Sequence, residues 1–124
     1  MNWLLAGALL GALAVITGAF GAHGLEGRLD AHHLDLWHKA VDYHALHALA
    51  LVAVGLLQRN GSTPALAGWL LLAGILLFSG SLYLLALTGL RWLGVITPFG
   101  GLSFILGWLA LAVWSLRNSP QAAR

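Results

Sequence analysis

All six histidines and all four acidic residues of this 124-residue chain fall between His23 and His47. Imidazole has three uses in such a stretch. It ligates zinc, copper or haem iron, it handles protons near neutral pH, or it bonds one helix to another. His44 and His47 stand three residues apart and share one face of a helix. His23 precedes them by enough chain to approach from a separate element. The trio His23, His44 and His47 is therefore the candidate metal set, weighed against the plainer use of each ring as a helix-to-helix hydrogen bond. The remaining candidates are Tyr43, Ser79, Ser81, Tyr83 and Thr97. Neither serine sits in an elbow-type turn and no acid is placed to orient a histidine, which argues against a serine hydrolase. There is no cysteine, hence no thiolate ligand, no cysteine nucleophile and no disulfide.

The elements that must position these groups are membrane helices. Only 8% of residues are charged and 60% are hydrophobic. A chain this short has no interior large enough to hide that much apolar surface from water. The residues form one membrane domain, 1–124, with spans near 3–22, 40–58, 65–88 and 93–116. Residues 60 to 90 and 92 to 116 carry no charge at all, and each run exceeds the roughly 20 residues that a spanning helix needs. The first span lacks the basic start of a secretory signal, although Ala19–Ala22 is loosely like a cleavage site, and is read as retained. Between spans one and two, Asp30 is a plausible N-cap for a short interfacial helix with Trp37 as its anchor. Asp35 and Lys39 form a favourable i,i+4 pair. Ser62 or Thr63 should cap span three. Thr88 to Arg91 reads as a tight hairpin, Asn118 to Arg124 as a frayed tail, and Asp42 and Arg91 could pair across the mouth of the bundle.

An up-down path brings the polar groups to one end. His23 ends span one, His47 lies one to two turns inside span two, and Ser79, Ser81 and Tyr83 lie in the returning half of span three. Thr97 opens span four. All four spans thus place polar groups in the same half of the bilayer, and such groups should turn inward together, because hydrocarbon offers them no partners. The expected result is one shared pocket of His23, Tyr43, His47, Ser79, Ser81, Tyr83 and Thr97. Gly100 and Gly101 are expected to pack closely against span two or three.

Four sequence stretches carry a resemblance: Gly18-Ala19-Phe20-Gly21-Ala22-His23; Tyr43 and His47 with Ala48-Leu49-Ala50-Leu51; Phe78-Ser79-Gly80-Ser81-Leu82-Tyr83; and Thr97-Pro98 with Gly100-Gly101. The chain resembles a family of small membrane proteins catalogued as domain of unknown function 423, which is similar to the mitochondrial transmembrane protein 256. The resemblance implies an all-α, four-span bundle and brings no established substrate or activity. His32, His33 and His38 lie outside those stretches and His44 in a looser part, so the resemblance favours His23 and His47.

The functional reading is a non-enzymatic membrane protein. It would bind a small ligand or lipid headgroup, or serve as an accessory subunit of a larger membrane complex. The alternatives are a metal- or haem-binding redox or carrier protein and a proton or small-solute conductor. The reading requires no cofactor. The partners expected are the lipid bilayer and a second copy or larger complex. No nucleic acid is expected, because the few basic residues form no stripe. The location expected is the inner membrane, with the termini in the cytoplasm.

Overall fold

Helix α1 (Trp3–Phe20) starts where the Asn2 side chain accepts a hydrogen bond from the Leu5 amide. It runs into a π turn at Gly21–Leu25, where the Gly21 amide reaches both the Thr17 and Gly18 carbonyls. The computed structural model describes residues 1–59 and 61–119. The Arg124 end of the expected frayed tail lies outside the described residues. Helix α2 (Ala31–Gln58) begins at Asp30, whose carboxylate caps the His33 amide at 2.7 Å. The third span is built of α3 (Ala65–Gly74), a second π turn (Ile75–Ser79) and α4 (Gly80–Thr88). A 3-10 turn (Arg91–Val95) leads into α5 (Thr97–Arg117), with Pro98 at its start, where a missing N–H disturbs no helical bond.

The chain is an all-α membrane bundle, with four helical stretches long and apolar enough to cross a bilayer. Met1 and Asn118 lie at one end. The Gln58 amide donates to the Met1 carbonyl, and the Ser62 hydroxyl donates to Asn118. The opposite end, carrying the first π turn and the α4–α5 hairpin, is called the histidine face below.

Three local expectations differ from what forms. The segment from Ala31 to Ala40 is helical but is not a separate interfacial helix, since it is the start of α2. No Gly or Pro interrupts residues 31–54, so nothing breaks the helix there. At 28 residues, α2 is about 42 Å long and outruns a hydrocarbon core of about 30 Å. Its first turns therefore project from the histidine face. Trp37 is not a belt anchor, because it is buried, with its indole donating to the Thr17 carbonyl. Span three has no side-chain cap. Ser62 instead receives the Trp114 indole N–H and donates to Asn118, tying the α3 start to the α5 end.

Lipid supplies no hydrophobic drive between helices, so close packing must hold them. Gly55 lets the α2 backbone touch the Leu4 backbone of α1, and Gly100 lets α5 touch the Phe78 backbone in the second π turn. Around these contacts Trp3, Leu51, Val54, Leu71, Ile75 and Phe104 form the main buried cluster. Gly89, at φ 73°, ends α4 in the left-handed conformation that begins the hairpin.

Candidate functional site

The polar groups do not meet in one pocket. They form separate bonds between pairs of helices, and the choice of partner fixes much of their chemistry.

The first group joins α1, α2 and α4. The Tyr83 hydroxyl lies 2.8 Å from His44 Nδ1 and 3.0 Å from Thr17 Oγ1. Trp37 closes the group by bonding the Thr17 carbonyl at 2.9 Å and packing its ring 4.6 Å from that of Tyr83. Thr17 also donates to Ala14. With one proton on each hydroxyl, the group has two self-consistent polarities. Either His44 donates to Tyr83, Tyr83 to Thr17 and Thr17 to Ala14, or Thr17 donates to Tyr83 and Tyr83 to His44. His44 is only 1% exposed, and its Nε2 has no hydrogen-bond partner among the described residues. The Leu10 backbone lies nearby without completing a bond.

The second group joins α2 and α5. His47 Nδ1 lies 2.7 Å from the Tyr43 carbonyl, and the Trp108 indole donates to His47 Nε2 at 3.0 Å. A carbonyl only accepts and an indole N–H only donates, so the ring must carry its proton on Nδ1 and its lone pair on Nε2. Both nitrogens are occupied, and the ring stacks on Phe104 with centroids 3.6 Å apart. Any use of His47 as a ligand or proton acceptor must first displace the Trp108 indole.

The other hydroxyls bond to backbone or to one another. Ser79 donates to the Ala40 carbonyl of α2 at 2.8 Å, and Ser103 to the Leu70 carbonyl of α3 at 2.6 Å. Ser81 bonds the Phe78 carbonyl one turn back and meets Thr97 at 2.6 Å. None of these hydroxyls is set against an imidazole, so the arrangement presents no serine nucleophile with a base.

His47 is also the floor of a lateral groove of about 560 Å³ between α2 and α5. Its walls are Tyr43, Phe78, Phe104 and Trp108, with Pro98 and Leu102 at the rim. Tyr43 is 42% exposed, and its hydroxyl has no hydrogen bond among the described residues. The groove faces the side of the bundle, where lipid chains would lie. It is a binding surface in form: apolar, aromatic, and offering a single free polar atom.

Several residues stand elsewhere than expected. His23 is exposed on the first π turn and makes no hydrogen bond among the described residues. His44, disfavoured beside it, is the buried histidine that meets Tyr83. The trio His23, His44 and His47 is not brought together, and among the described residues no three His, Cys or acidic side chains are grouped to hold a metal ion. Asp42 and Arg91 do not pair, nor do Asp35 and Lys39. The ion pair formed among the described residues is Asp30 with His33, at 2.8 Å. It holds the Asp30 carboxyl below its ordinary value, first through the bond from the His33 amide and then through the imidazole. Gly100 does pack tightly, against Phe78 of the third span. Sequence reasoning passed over Thr17, Trp108 and Ser103. Thr17 is the lone hydroxyl residue of the first span, which was the available signal. Nothing local distinguishes Trp108 from the other five tryptophans.

Comparison with known proteins places the chain in a family. The family model described as "Protein of unknown function (DUF423)" matches residues 17–101. The UPF0382 membrane protein SERP0230 of Staphylococcus epidermidis is 51% identical over 116 residues, covering 93% of this chain and 95% of its own. The UPF0382 membrane protein YwdK of Bacillus subtilis is 47% identical over 118 residues, covering 93% and 96%. No solved structure matches. The names of these relatives assign no ligand and no reaction. The matched segment begins at Thr17 and ends at Gly101, so it takes in both inter-helix groups apart from Ala14, Phe104 and Trp108. The chain is thus a membrane protein of the DUF423 family, whose function is not established.

Proposed function

We propose that this protein is a non-enzymatic integral protein of a bacterial inner membrane that binds a lipid-soluble ligand in the groove between α2 and α5. The observation that carries the reading is the groove itself. Its volume of about 560 Å³ falls in the usual range of ligand sites, and its aromatic walls with few polar groups match their usual character. Because His47 is held on both nitrogens from within, the ligand meets the Tyr43 hydroxyl as its polar contact. A flat, largely apolar ring compound with one hydrogen-bond acceptor fits that description. The termini face the cytoplasm in this reading, by a narrow margin of positive charge.

The test is an inventory of small molecules retained by protein extracted in mild detergent, read by native mass spectrometry. The wild type should carry a bound organic molecule that is not a phospholipid. Leu102→Trp, which fills the groove from its rim, should lose it while keeping its helicity. A bare wild-type protein, or equal retention in Leu102→Trp, would overturn the assignment. A second reading, an accessory subunit, is favoured by the apolar groove of about 510 Å³ along α1 and α2, where a Cβ added at Gly11 would meet no atom of another element within 4 Å. It predicts that a second membrane protein appears in the same spectra.

A further inference from the structure

The histidine face carries a second cavity, unconnected with the aromatic groove. It has a volume of about 480 Å³ and is lined by His32, His33, Leu36, Leu85, Gly89 and Arg91. Arg91 has no ion-pair or hydrogen-bond partner among the described residues. An unpaired guanidinium there is a standing offer of charge-assisted hydrogen bonds.

The surroundings select what could accept it. No acidic residue lines the cavity. Asp30, next to the cavity on the α2 start, is already engaged by the His33 amide and Nδ1. That bond fixes Nδ1–H as the donor and leaves the other His33 nitrogen free. The end of α4 would repel an anion through its last carbonyls, but Leu84 is bonded by the Thr88 hydroxyl and Leu85 by the Gly89 amide. The α2 N-terminus is likewise used up in part, since Asp30 caps it. What remains is one guanidinium, two imidazoles and a floor of two leucines.

Two further facts identify the kind of molecule. The projecting turns of α2 and the hairpin place this cavity at headgroup depth. Its polar rim and leucine floor match a molecule with a phosphate at one end and hydrocarbon at the other. We propose that this cavity holds the phosphate of a phospholipid, with Arg91 as its anchoring cation and His32 as a second donor. The shared chemistry is a phosphoryl group, and the leucine floor commits the occupant to a lipid rather than a soluble ester.

The experiment is native mass spectrometry of the whole protein in detergent with added phosphatidylglycerol, or with diacylglycerol of the same chains. The wild type should retain one phosphatidylglycerol and no diacylglycerol. Arg91→Gln should weaken that retention by at least about tenfold, the scale expected for hydrogen bonds to a charged group. Arg91→Lys should fall between. Arg117→Gln, at the opposite end of the bundle, should match wild type, as should Leu102→Trp, which separates this site from the aromatic groove. Retention of diacylglycerol equal to phosphatidylglycerol, or unchanged retention in Arg91→Gln, would overturn the proposal. Displacement of the lipid by an equal concentration of glycerol phosphate would reassign the site to a soluble ester. The wild-type lipid comparison needs no variant, so a misfolded Arg91→Gln leaves the test intact.

Discussion

At the scale of single residues, the histidines are distinguished by what their nitrogens touch. Tyr83 serves two partners at once, on two other helices. Tyr83→Phe leaves the His44 ring buried with neither nitrogen bonded. Its cost should be that of an orphaned buried polar group, about 1–3 kcal/mol. Ser79→Ala removes a donor from a carbonyl that already lies within a helix, and its cost should sit near the membrane average of about 0.6 kcal/mol for such bonds. Reversible unfolding in mixed micelles should therefore rank Tyr83→Phe as the more damaging change. The reverse order would show that the Tyr83 group is loosely held. Replacing both partners, as Tyr83→Phe with His44→Leu, should recover part of the loss, because no polar atom is then stranded. The resemblance favoured His47 over His44, and the pattern of the helix gave no ground to reverse that order. Both sit on a helix whose flanks are apolar all round, so in lipid the sequence pattern does not tell which flank faces inward.

At the scale of elements, the helices were legible from charge-free runs, and their rotations were not. The second π turn inserts a residue into the third span, which rotates everything beyond it relative to a regular helix. Ser79 consequently faces α2, Ser81 faces α5 and Tyr83 faces α1 and α2. One shared pocket was expected because all these groups lie in the same half of the bilayer, but depth does not say which neighbouring helix each side chain faces. The same turn meets α5 at Gly100, and this gives a paired test. A Cβ at Gly100 collides with the Phe78 backbone, which has no rotamer to change, whereas one at Gly101 meets only the Phe78 ring at ordinary contact distance, 3.8 Å. Gly100→Ala should cost about 1–3 kcal/mol by overpacking, and Gly101→Ala should stay within about 0.5 kcal/mol of wild type. Thermal melts in detergent check both. At the start of α2, Asp30 has a carboxyl held below its ordinary value of 3.8 by the bond from His33 N–H. Its contribution is therefore complete above that value and is lost as pH falls through the lowered one. Amide exchange at residues 31–34 should quicken relative to the α2 interior as the medium is taken from about pH 5 to about pH 2. In Asp30→Asn, which still caps but does not titrate, that relative change should vanish.

At the scale of the molecule, the even number of spans puts Met1, Gln58 and Asn118 at one end, and the remaining question is which way that end points. The hydrogen bonds from Gln58 to Met1 and from Ser62 to Asn118 keep the end together, but they have no preference between two sides of a membrane. Orientation must come from charge in the connecting segments. The terminal end has Arg59, Arg117 and Arg124, and the histidine face has Arg28, Lys39 and Arg91. The count is even, so the α-amine tips it, and small changes should move it. A carboxy-terminal fluorescent-protein fusion should report the wild-type end as cytoplasmic, and an alkaline phosphatase fusion at the same place should be inactive. With Arg59→Gln and Arg117→Gln together, the terminal end is left with Arg124 against three basic residues opposite. A large share of the molecules should then insert the other way, with phosphatase activity rising as fluorescence falls. If the double variant keeps the wild-type pattern, basic residues do not set the orientation; if the wild-type fusions themselves show phosphatase activity without fluorescence, the termini are not cytoplasmic. If the pattern reverses, the histidine face of the native protein, with Arg91 and its cavity, belongs to the outer leaflet, and the lipid comparison should be run with the lipids of that leaflet.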